Sequence, residues 1–290
     1  MDELSATIAL SRLKGINNLQ KKVLADSTES FVSLFKGKTK TYDPDLERKM
    51  ASFKAWGDIE KELRSLEKMG AHVITIKDRE YPELLKHIPD PPLVLFKKGP
   101  LKMAKNTIAI VGSRRASYES INLAEKIACT LSSLGITIVS GLARGIDGAA
   151  HKGALKEKGK TIGVLGCGID ICYPPENRLL FQHTGDEGAI VTEYGLGESP
   201  LPYHFPERNR IIAGLSKGIL VVEASKKSGS LITARLGAEY GREVMAIPGT
   251  IYKEEYKGAN SLIKEGAKLV DGIEDILTTC FPHLKFNEEK

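Results

Sequence analysis

The sequence contains no long apolar run, no metal-type cysteine spacing and no leader-like N-terminus. None of its apolar runs approaches the ~20 residues of a membrane-spanning helix, so we expect no transmembrane segment and no membrane partner. The first residues, MDELSATIALSRLKG, are acidic first and soon interrupted by charges, unlike a secretory signal peptide. We interpret the four cysteines as buried free thiols. These absences favour a cytoplasmic protein without a bound metal.

Neither sign of charge dominates the composition. There are 42 lysines and arginines against 37 acidic residues, which gives a formal net charge of +5. So small an excess does not by itself indicate nucleic-acid binding, and the position of the basic residues matters more than their sum. At 290 residues, the chain is long enough for two domains.

Residues 1–70 have a helical pattern and are predicted to form a small domain of their own. Asp43, which is followed by proline, is typical of a helix start, and we expect one long helix over 45–69 that Gly70 ends. The segment 13–18 (LKGINN) is similar to a helix-hairpin-helix turn but lacks its second glycine. A packing or partner-binding role is therefore favoured over direct DNA binding.

From residue 71 onward, short β-branched runs alternate with helical patterns. The run Ile108–Val111 has no polar face, which is typical of a strand buried on both sides in a parallel sheet. The alternation predicts βαβ units with helices on both faces of the sheet. Strands are expected at 72–76, 93–96, 108–111, 137–139, 161–165, 189–191, 219–222, 243–247 and 268–270. Helices are expected at 117–134, 146–158, 176–183, 207–215, 230–240 and 259–265.

Small residues and basic residues follow five of these strands. Because the carboxyl ends of parallel strands meet at one edge of a sheet, the five turns are expected to lie together. The first turn, 112–115 (GSRR), stands between a strand and a helix N-terminus, where free N–H groups and the helix dipole attract an anion. The pattern predicts a phosphate or polyanion site at this edge. The other turns are 140–145 (SGLARG), 166–178, 203–210 and 223–230.

The sequence contains partial matches to two other kinds of site, a dinucleotide site and an acid–base pair. The segment 166–168 (GCG) begins like a dinucleotide fingerprint, but Ile171 replaces its third glycine, so no nicotinamide cofactor is expected. Asp147 and His151 lie four residues apart on one face of a predicted helix and could form an acid–base pair. We favour a structural role, with the aspartate bonding the backbone at the helix start and the histidine partly buried.

The segment 202–206 (PYHFP) brings aromatic rings next to Arg208 and Arg210. Such a combination suits unstacked bases and phosphates of a single strand. Phe205 has two interpretations, a core residue or a platform on which a base stacks. We expect Pro206 to hold it in extended backbone, away from the helix that carries the arginines, and this favours stacking.

These motifs resemble the DNA-processing protein A (DprA/Smf) family. The resemblance covers about residues 75–270 and is carried by 111–114 (VGSR), 139–147 (VSGLARGID), 205–216 (FPERNRIIAGLS) and 228–234 (SGSLITA). It implies an extended Rossmann-like domain over 71–280 and a sterile-alpha-motif-like helical domain over 1–70. Many members of the family also end in a small winged-helix-like domain, but the tail 281–290 has no room for one, so none is expected here. It also implies a homodimer that binds and protects single-stranded DNA, loads RecA recombinase during natural transformation and meets single-strand-binding protein, without a cofactor.

Carried over position by position, the resemblance implies a set of DNA contacts. We expect the glycines and serines to let phosphates approach backbone amides, the arginines to pair with phosphates, and the phenylalanine to stack on a base. The set is Gly112, Ser113, Arg114, Ser140, Gly141, Arg144, Gly145, Arg178, Phe205, Arg208, Asn209 and Arg210.

The rival interpretation is an enzyme. The fold and the segment 228–234 also resemble nucleotide phosphoribohydrolases of the cytokinin-activating type, which carry a P-G-G-x-G-T run and a glutamate that acts on the ribose. Here 248–250 (PGT) lacks the middle glycines, and 228–230 (SGS) is not preceded by proline. A non-enzymatic DNA-binding protein is therefore favoured.

Overall fold

A computed structural model describes residues 1–39, 41, 43–100, 106–156 and 159–284. Two residues of a predicted helix, 157–158, and most of the predicted tail, 285–290, lie outside this range. Within it, the strands are β1 (Ala71–Thr75), β2 (Val94–Lys98), β3 (Thr107–Val111), β4 (Thr137–Ser140), β5 (Thr161–Val164), β6 (Ala189–Thr192), β7 (Gly218–Val221), β8 (Glu243–Ala246) and β9 (Lys268–Leu269). Every predicted strand is present, within two residues of its expected bounds.

The described helices alternate with the strands from β3 onward, as expected. They are α1 (Glu3–Ser11), α2 (Asn18–Ser27), α3 (Phe31–Phe35), α4 (Pro44–Ala51), α5 (Trp56–Lys68), α6 (Glu83–Lys86), α7 (Tyr118–Ser133), α8 (Ile146–Lys156), α9 (Arg178–Glu187), α10 (His204–Gly214), α11 (Ser230–Glu239), α12 (Lys257–Lys264) and α13 (Ile273–Cys280). In the described part of the chain, no helix is long and apolar enough to cross a membrane.

The strands form one sheet in the order β1-β2-β6-β5-β4-β3-β7-β8-β9. The pairs from β6 to β9 are parallel, and β1 and β2 add an antiparallel edge. The chain proceeds outward from β3 through β4, β5 and β6, then returns to place β7 on the other side of β3. Strands β3 and β7 therefore flank the point where strand order reverses, which is where ligands bind in sheets of this kind.

Helices cover both faces of the sheet. Along β3, Ile108 and Ile110 pack in one apolar cluster with α7, α8 and α13, whereas Ala109 and Val111 pack in another with α10, α11 and α12. Successive side chains of a strand point to opposite faces. Burial on both sides is the reason that this strand has no polar residue between Ile108 and Val111.

The N-terminal helices pack directly on this sheet, since Ile8 and Ala9 of α1 share an apolar cluster with Phe96 and Leu165. The predicted boundary at residue 70 stays a prediction. Asp43 caps α4 as expected, but the single helix over 45–69 is wrong. The helix stops after α4 and a new one, α5, begins at Trp56. At this break in the helix, the ring of Phe53 packs edge-on against that of Trp56, with 4.9 Å between the ring centroids.

Helix α10 begins three residues earlier than predicted, at His204. The expected extended backbone at Phe205 is therefore wrong, and both Phe205 and Pro206 lie in the first turn of the helix. A proline is tolerated there because the first N–H groups of a helix have no intrahelical acceptor. The ring of Phe205 thus belongs to the same helix as Arg208 and Arg210.

Candidate nucleic-acid interface

A cleft of about 750 Å³ opens at the carboxyl edge of the sheet, where the strand order reverses. The loop after β3, the loop after β7 and the first turns of α10 and α11 form its walls. Half of the predicted contact residues line it: Gly112, Ser113, Arg114, Phe205, Arg208 and Asn209. The predicted contact set omits several other lining residues, among them Arg115, Tyr173, Ser228 and Ser230, although these four lie in turns that are expected at this edge.

The cationic side of the cleft consists of Arg114 and Arg115, which are both exposed. The guanidinium carbon of Arg114 lies over the ring of Phe205, 5.2 Å from its centroid. This ring is half-buried and also contacts Tyr173, with centroids 5.4 Å apart and planes tilted by 33°. Phe205 is therefore neither a fully buried core residue nor a free platform.

The helix N-terminus after β3 is not free for an external anion. The Glu223 carboxylate, which is fully buried, accepts hydrogen bonds from the Ser117 N–H at 3.0 Å and from the Ser117 hydroxyl at 2.7 Å. Ser117 is the N-cap of α7. The protein thus supplies its own anion at this position, and the argument that free amides there attract phosphate is wrong.

Two residues predicted to present amides or hydroxyls after β4 use them internally. The Ser140 hydroxyl is buried and donates to the Ile110 carbonyl at 2.7 Å. The Gly141 N–H donates to the Asp147 carboxylate at 3.0 Å, and a Cβ at Gly141 would lie 2.5 Å from the Arg208 guanidinium. These contacts favour a structural role for the two residues, and their contact with phosphate stays a prediction.

Gly145 is needed for contact between loops. Its φ of +71° lies in the left-handed region, and a Cβ would lie 2.2 Å from the Ser113 carbonyl oxygen. The same carbonyl accepts the Ile146 N–H at 3.2 Å, while the Ser113 N–H donates to the Glu223 carbonyl at 2.7 Å. The glycine lets the loops after β3 and β4 pack together, so a ligand is not required to explain it.

Arg208 also makes internal hydrogen bonds, although it lies at the base of the cleft. Its side chain is buried and donates through Nη1 to the carbonyl of Gly141, at 2.9 Å, and to that of Val164. These two hydrogen bonds connect the end of β4 to the end of β5. Burial lowers the pKa of Arg208 to about 10, against the opposing charge of Asp147. Burial likewise raises the pKa of Asp147, against the opposing charge of Arg208. These contacts favour a structural role for Arg208, and its direct contact with phosphate stays a prediction.

Arg210 faces a different cleft and is fully paired. Its Nη atoms donate to both oxygens of Glu193 at 2.8 and 2.7 Å, and its Nε donates to Asp90 at 3.0 Å. Burial alone would lower its pKa, but the charge and hydrogen bonds of Glu193 raise it. This larger cleft, about 1140 Å³ between the N-terminal helices and the sheet, is also lined by Glu62, Glu198 and Glu207. Its lining mixes these carboxylates with Arg12, Lys14 and Lys21. Because Arg210 is already paired with Glu193 and Asp90, these contacts favour a structural role for it, and its contact with phosphate stays a prediction.

His151 is a core residue. It is fully buried, accepts the Leu142 N–H through Nε2 at 3.3 Å, and donates through Nδ1 to the Thr161 hydroxyl at 2.7 Å. The second role follows because this hydroxyl donates its own proton to the Ile138 carbonyl. Burial lowers the pKa of His151 to about 3, which keeps the ring neutral. The contacts favour the structural interpretation of Asp147 and His151 over an acid–base pair.

Of the remaining predicted residues, Asn209 lines the cleft, whereas Arg144 and Arg178 are not among its lining residues. Arg144 is exposed and forms an ion pair with Glu176, which is exposed as well. Arg178 is exposed as the first residue of α9. Asn209 donates to the Gly229 carbonyl at 3.3 Å and so connects α10 to the start of α11.

The fold and this cleft define the class of the protein: an α/β protein of Rossmann type, with arginines and aromatic rings at the point where strand order reverses. Residues 72–281 match the model of the family described as DNA recombination-mediator protein A. The chain belongs to this family.

Individual relatives agree with this assignment. The chain is 48% identical over 204 residues to DNA processing protein DprA of Streptococcus pneumoniae, a match that covers 70% of this chain and 72% of the relative. It is 46% identical over 221 residues to protein Smf of Escherichia coli, covering 76% of this chain and 59% of that protein, which is less than two thirds of its length.

Two solved structures are similar as well. The X-ray structure of DNA processing protein A from Streptococcus pneumoniae superposes with a TM-score of 0.83 at 37% identity, over 99% of this chain and 100% of that one. The structure of DNA processing protein A from Helicobacter pylori is described for its single-stranded DNA binding mode. It superposes with a TM-score of 0.66 at 30% identity, over 73% of this chain and 97% of that one.

Proposed function

We propose that this chain takes part in DNA processing by binding single-stranded DNA in the cleft at the carboxyl edge of its sheet. The observation that carries the proposal is the exposed Arg114 guanidinium over the half-buried ring of Phe205. A guanidinium suits a phosphate oxygen and an aromatic ring suits the face of a base. The single-stranded DNA binding described for the Helicobacter pylori relative supports the same ligand.

A single strand fits this arrangement better than a duplex. In a duplex, the faces of the bases are stacked on one another and only their edges are accessible. A ring that lies inside a cleft can stack only on a base that is unpaired and turned outward. Phe205 and Tyr173 both line the cleft, and Tyr173 is the more exposed of the two, so aromatic surface is available to a strand that enters it.

We extend the proposal to the cellular role that the resemblance implies. The protein protects incoming DNA and loads RecA recombinase during natural transformation, meets single-strand-binding protein, and acts as a homodimer in the cytoplasm. The description of its family as recombination mediators supports the step that involves a recombinase.

We propose that the protein acts without catalysing a reaction of its own. Glu255 lines the cleft and is exposed, but two further acidic side chains at the cleft are engaged: Glu223 accepts the Ser117 N–H, and Asp147 accepts the Gly141 N–H beside Arg208. A carboxylate held in this way is a poor catalyst for attack on a ribose. Release of free base from a nucleoside monophosphate by the purified protein would favour the phosphoribohydrolase interpretation instead.

The test is a titration of a fluorescent oligonucleotide, single-stranded against double-stranded, at several salt concentrations. The exposed cations of the turns at this edge, among them Arg114, Arg115 and Lys226, allow about four to six phosphate contacts. At roughly −0.7 per contact, log affinity against log salt should have a slope of about −3 to −4. Arg48→Ala is a matched control, because Arg48 is 79% exposed on α4 of the N-terminal region.

Tighter binding of the single strand with this slope supports the proposal. A slope near zero, or equal binding of both forms, contradicts it. Under the proposal, the Arg48→Ala variant gives the same affinity and slope as the unaltered protein.

A further inference from the structure

Tyr173 lies next to the base-stacking candidate but has no assigned role. Its ring is 40% exposed and lines the cleft, and its centroid lies 5.4 Å from that of Phe205. Together with the Arg114 guanidinium over Phe205, this gives three flat groups of which Phe205 contacts both others, and we call them the stacking row: Arg114, Phe205 and Tyr173.

The two rings of the stacking row differ in what they can offer a ligand. Phe205 is contacted by Arg114 and Tyr173, and its ring packs so close to Gly166 that a Cβ there would lie 3.1 Å from it. Tyr173 is the outer ring and the more exposed of the two. The aromatic surface that a base can reach without displacing a protein group is therefore mainly that of Tyr173.

The backbone that carries Tyr173 is fixed to the rest of the cleft. Pro174 is buried, and a short 3₁₀ turn over Pro175–Asn177 follows it. The side-chain amide of Asn177 donates to the carbonyls of Leu142 at 2.9 Å and Ala143 at 3.1 Å, in the loop after β4. A ring held in place before binding loses little freedom when a base stacks on it.

We infer that Tyr173 is a base-stacking platform of the DNA site, on which one unpaired base rests while a neighbouring phosphate pairs with Arg114. This inference rests on the proposed function. Stacking uses the π face that every base has, so the subsite accepts any base. The phenol hydroxyl is not needed for it, because the contact is made by the face of the ring.

The experiment compares Tyr173→Ala with Tyr173→Phe on an oligonucleotide that contains 2-aminopurine, whose fluorescence falls when it stacks. Tyr173→Ala, which removes the ring, should weaken binding of the oligonucleotide about fivefold or more and abolish part of the quenching of 2-aminopurine. The slope of log affinity against log salt should not change. Tyr173→Phe should bind within about twofold of the unaltered protein. Tyr252→Ala is the control. Tyr252 is 90% exposed and follows β8, whereas Tyr173 follows β5, which lies four strands away from β8 in the sheet.

A second oligonucleotide, with abasic sugars in place of the bases, separates stacking from a structural role. If Tyr173 acts by stacking, Tyr173→Ala and the unaltered protein bind the abasic strand equally. The same loss on the abasic strand, or unchanged quenching in Tyr173→Ala, overturns the inference. Failure of the unaltered protein to bind any single strand would instead overturn the proposed function itself.

Discussion

The arginines of helix α10 and those of the loops after β3 and β4 lie near the same edge of the sheet in different surroundings. Arg208 and Arg210 are 3% and 5% exposed and donate to carbonyls or carboxylates of the protein. Arg114 and Arg115 are exposed beside the cleft. The difference shows that an arginine-rich segment can stabilise a binding site without contacting its ligand.

The buried pair also explains how the helix that carries Phe205 is held. Arg208 connects α10 to the ends of β4 and β5, and Arg210 connects it to Glu193 after β6 and to Asp90. The start of α10 is thereby fixed relative to the loops that bear Arg114 and Tyr173. We expect substitutions of the buried arginines to change stability first, and substitutions of the exposed ones to change affinity first.

The largest effect is expected for Arg210→Ala. Removal of the buried guanidinium leaves the partly buried carboxylates of Glu193 and Asp90 without this counter-ion, which costs about 3–5 kcal/mol of unfolding free energy. Urea unfolding measures this loss, with Arg48→Ala as the exposed control at less than ~0.5 kcal/mol. A stable Arg210→Ala protein that has lost its affinity for DNA would instead make Arg210 a phosphate contact.

The reverse result is expected for Arg114→Ala. The side chain is exposed in a turn, so its loss should leave the unfolding free energy within ~0.5 kcal/mol of the unaltered protein. The affinity for single-stranded DNA should fall by about 1.5–3 kcal/mol, as for a charge-assisted hydrogen bond. Unaltered affinity in this variant would mean that the guanidinium does not meet a phosphate.

His151 extends the comparison to pH. In the unfolded chain this histidine takes up a proton near pH 6.5, whereas in the folded protein its pKa is lowered to about 3. Between these values the unfolded state binds more protons, so stability falls as the pH is lowered, by about 2 kcal/mol between neutral pH and pH 5. Asp147, whose pKa is raised, contributes with the opposite sign at lower pH.

The measurement is urea unfolding of His151→Gln and of the unaltered protein at a series of pH values from 7.5 to 5. The variant is less stable at neutral pH but loses less stability on acidification. Parallel curves for the two proteins would show that His151 is not the group that titrates.

The sequence was sufficient for the sheet but not for the fate of individual polar residues. Runs such as Ile108–Val111 have one stable placement, because nothing in them tolerates water, and strand positions follow directly. The segment FPERNR has no such restriction, because the partners of its arginines are distant in sequence. Arg210 is paired with Asp90 and Glu193, and Arg208 donates to the carbonyls of Gly141 and Val164. In the same way, nothing near residue 112 shows that Glu223 occupies the start of α7.

Arg144 lies between the two classes, and the smallest effect is expected there. It is exposed like Arg114, but it forms an ion pair with Glu176, so a phosphate must compete with a carboxylate that is already in place. The backbone amide of Glu176 and then the charge of Arg144 lower the pKa of this glutamate, which keeps it ionised at neutral pH.

Arg144→Ala should therefore weaken binding of single-stranded DNA by less than about fivefold. Glu176→Gln removes the competitor without removing the arginine, so it should strengthen binding slightly and steepen the salt slope. Oligonucleotide titrations of both variants decide the matter, because a loss in Arg144→Ala equal to that in Arg114→Ala, with no change in Glu176→Gln, would place Arg144 among the direct contacts.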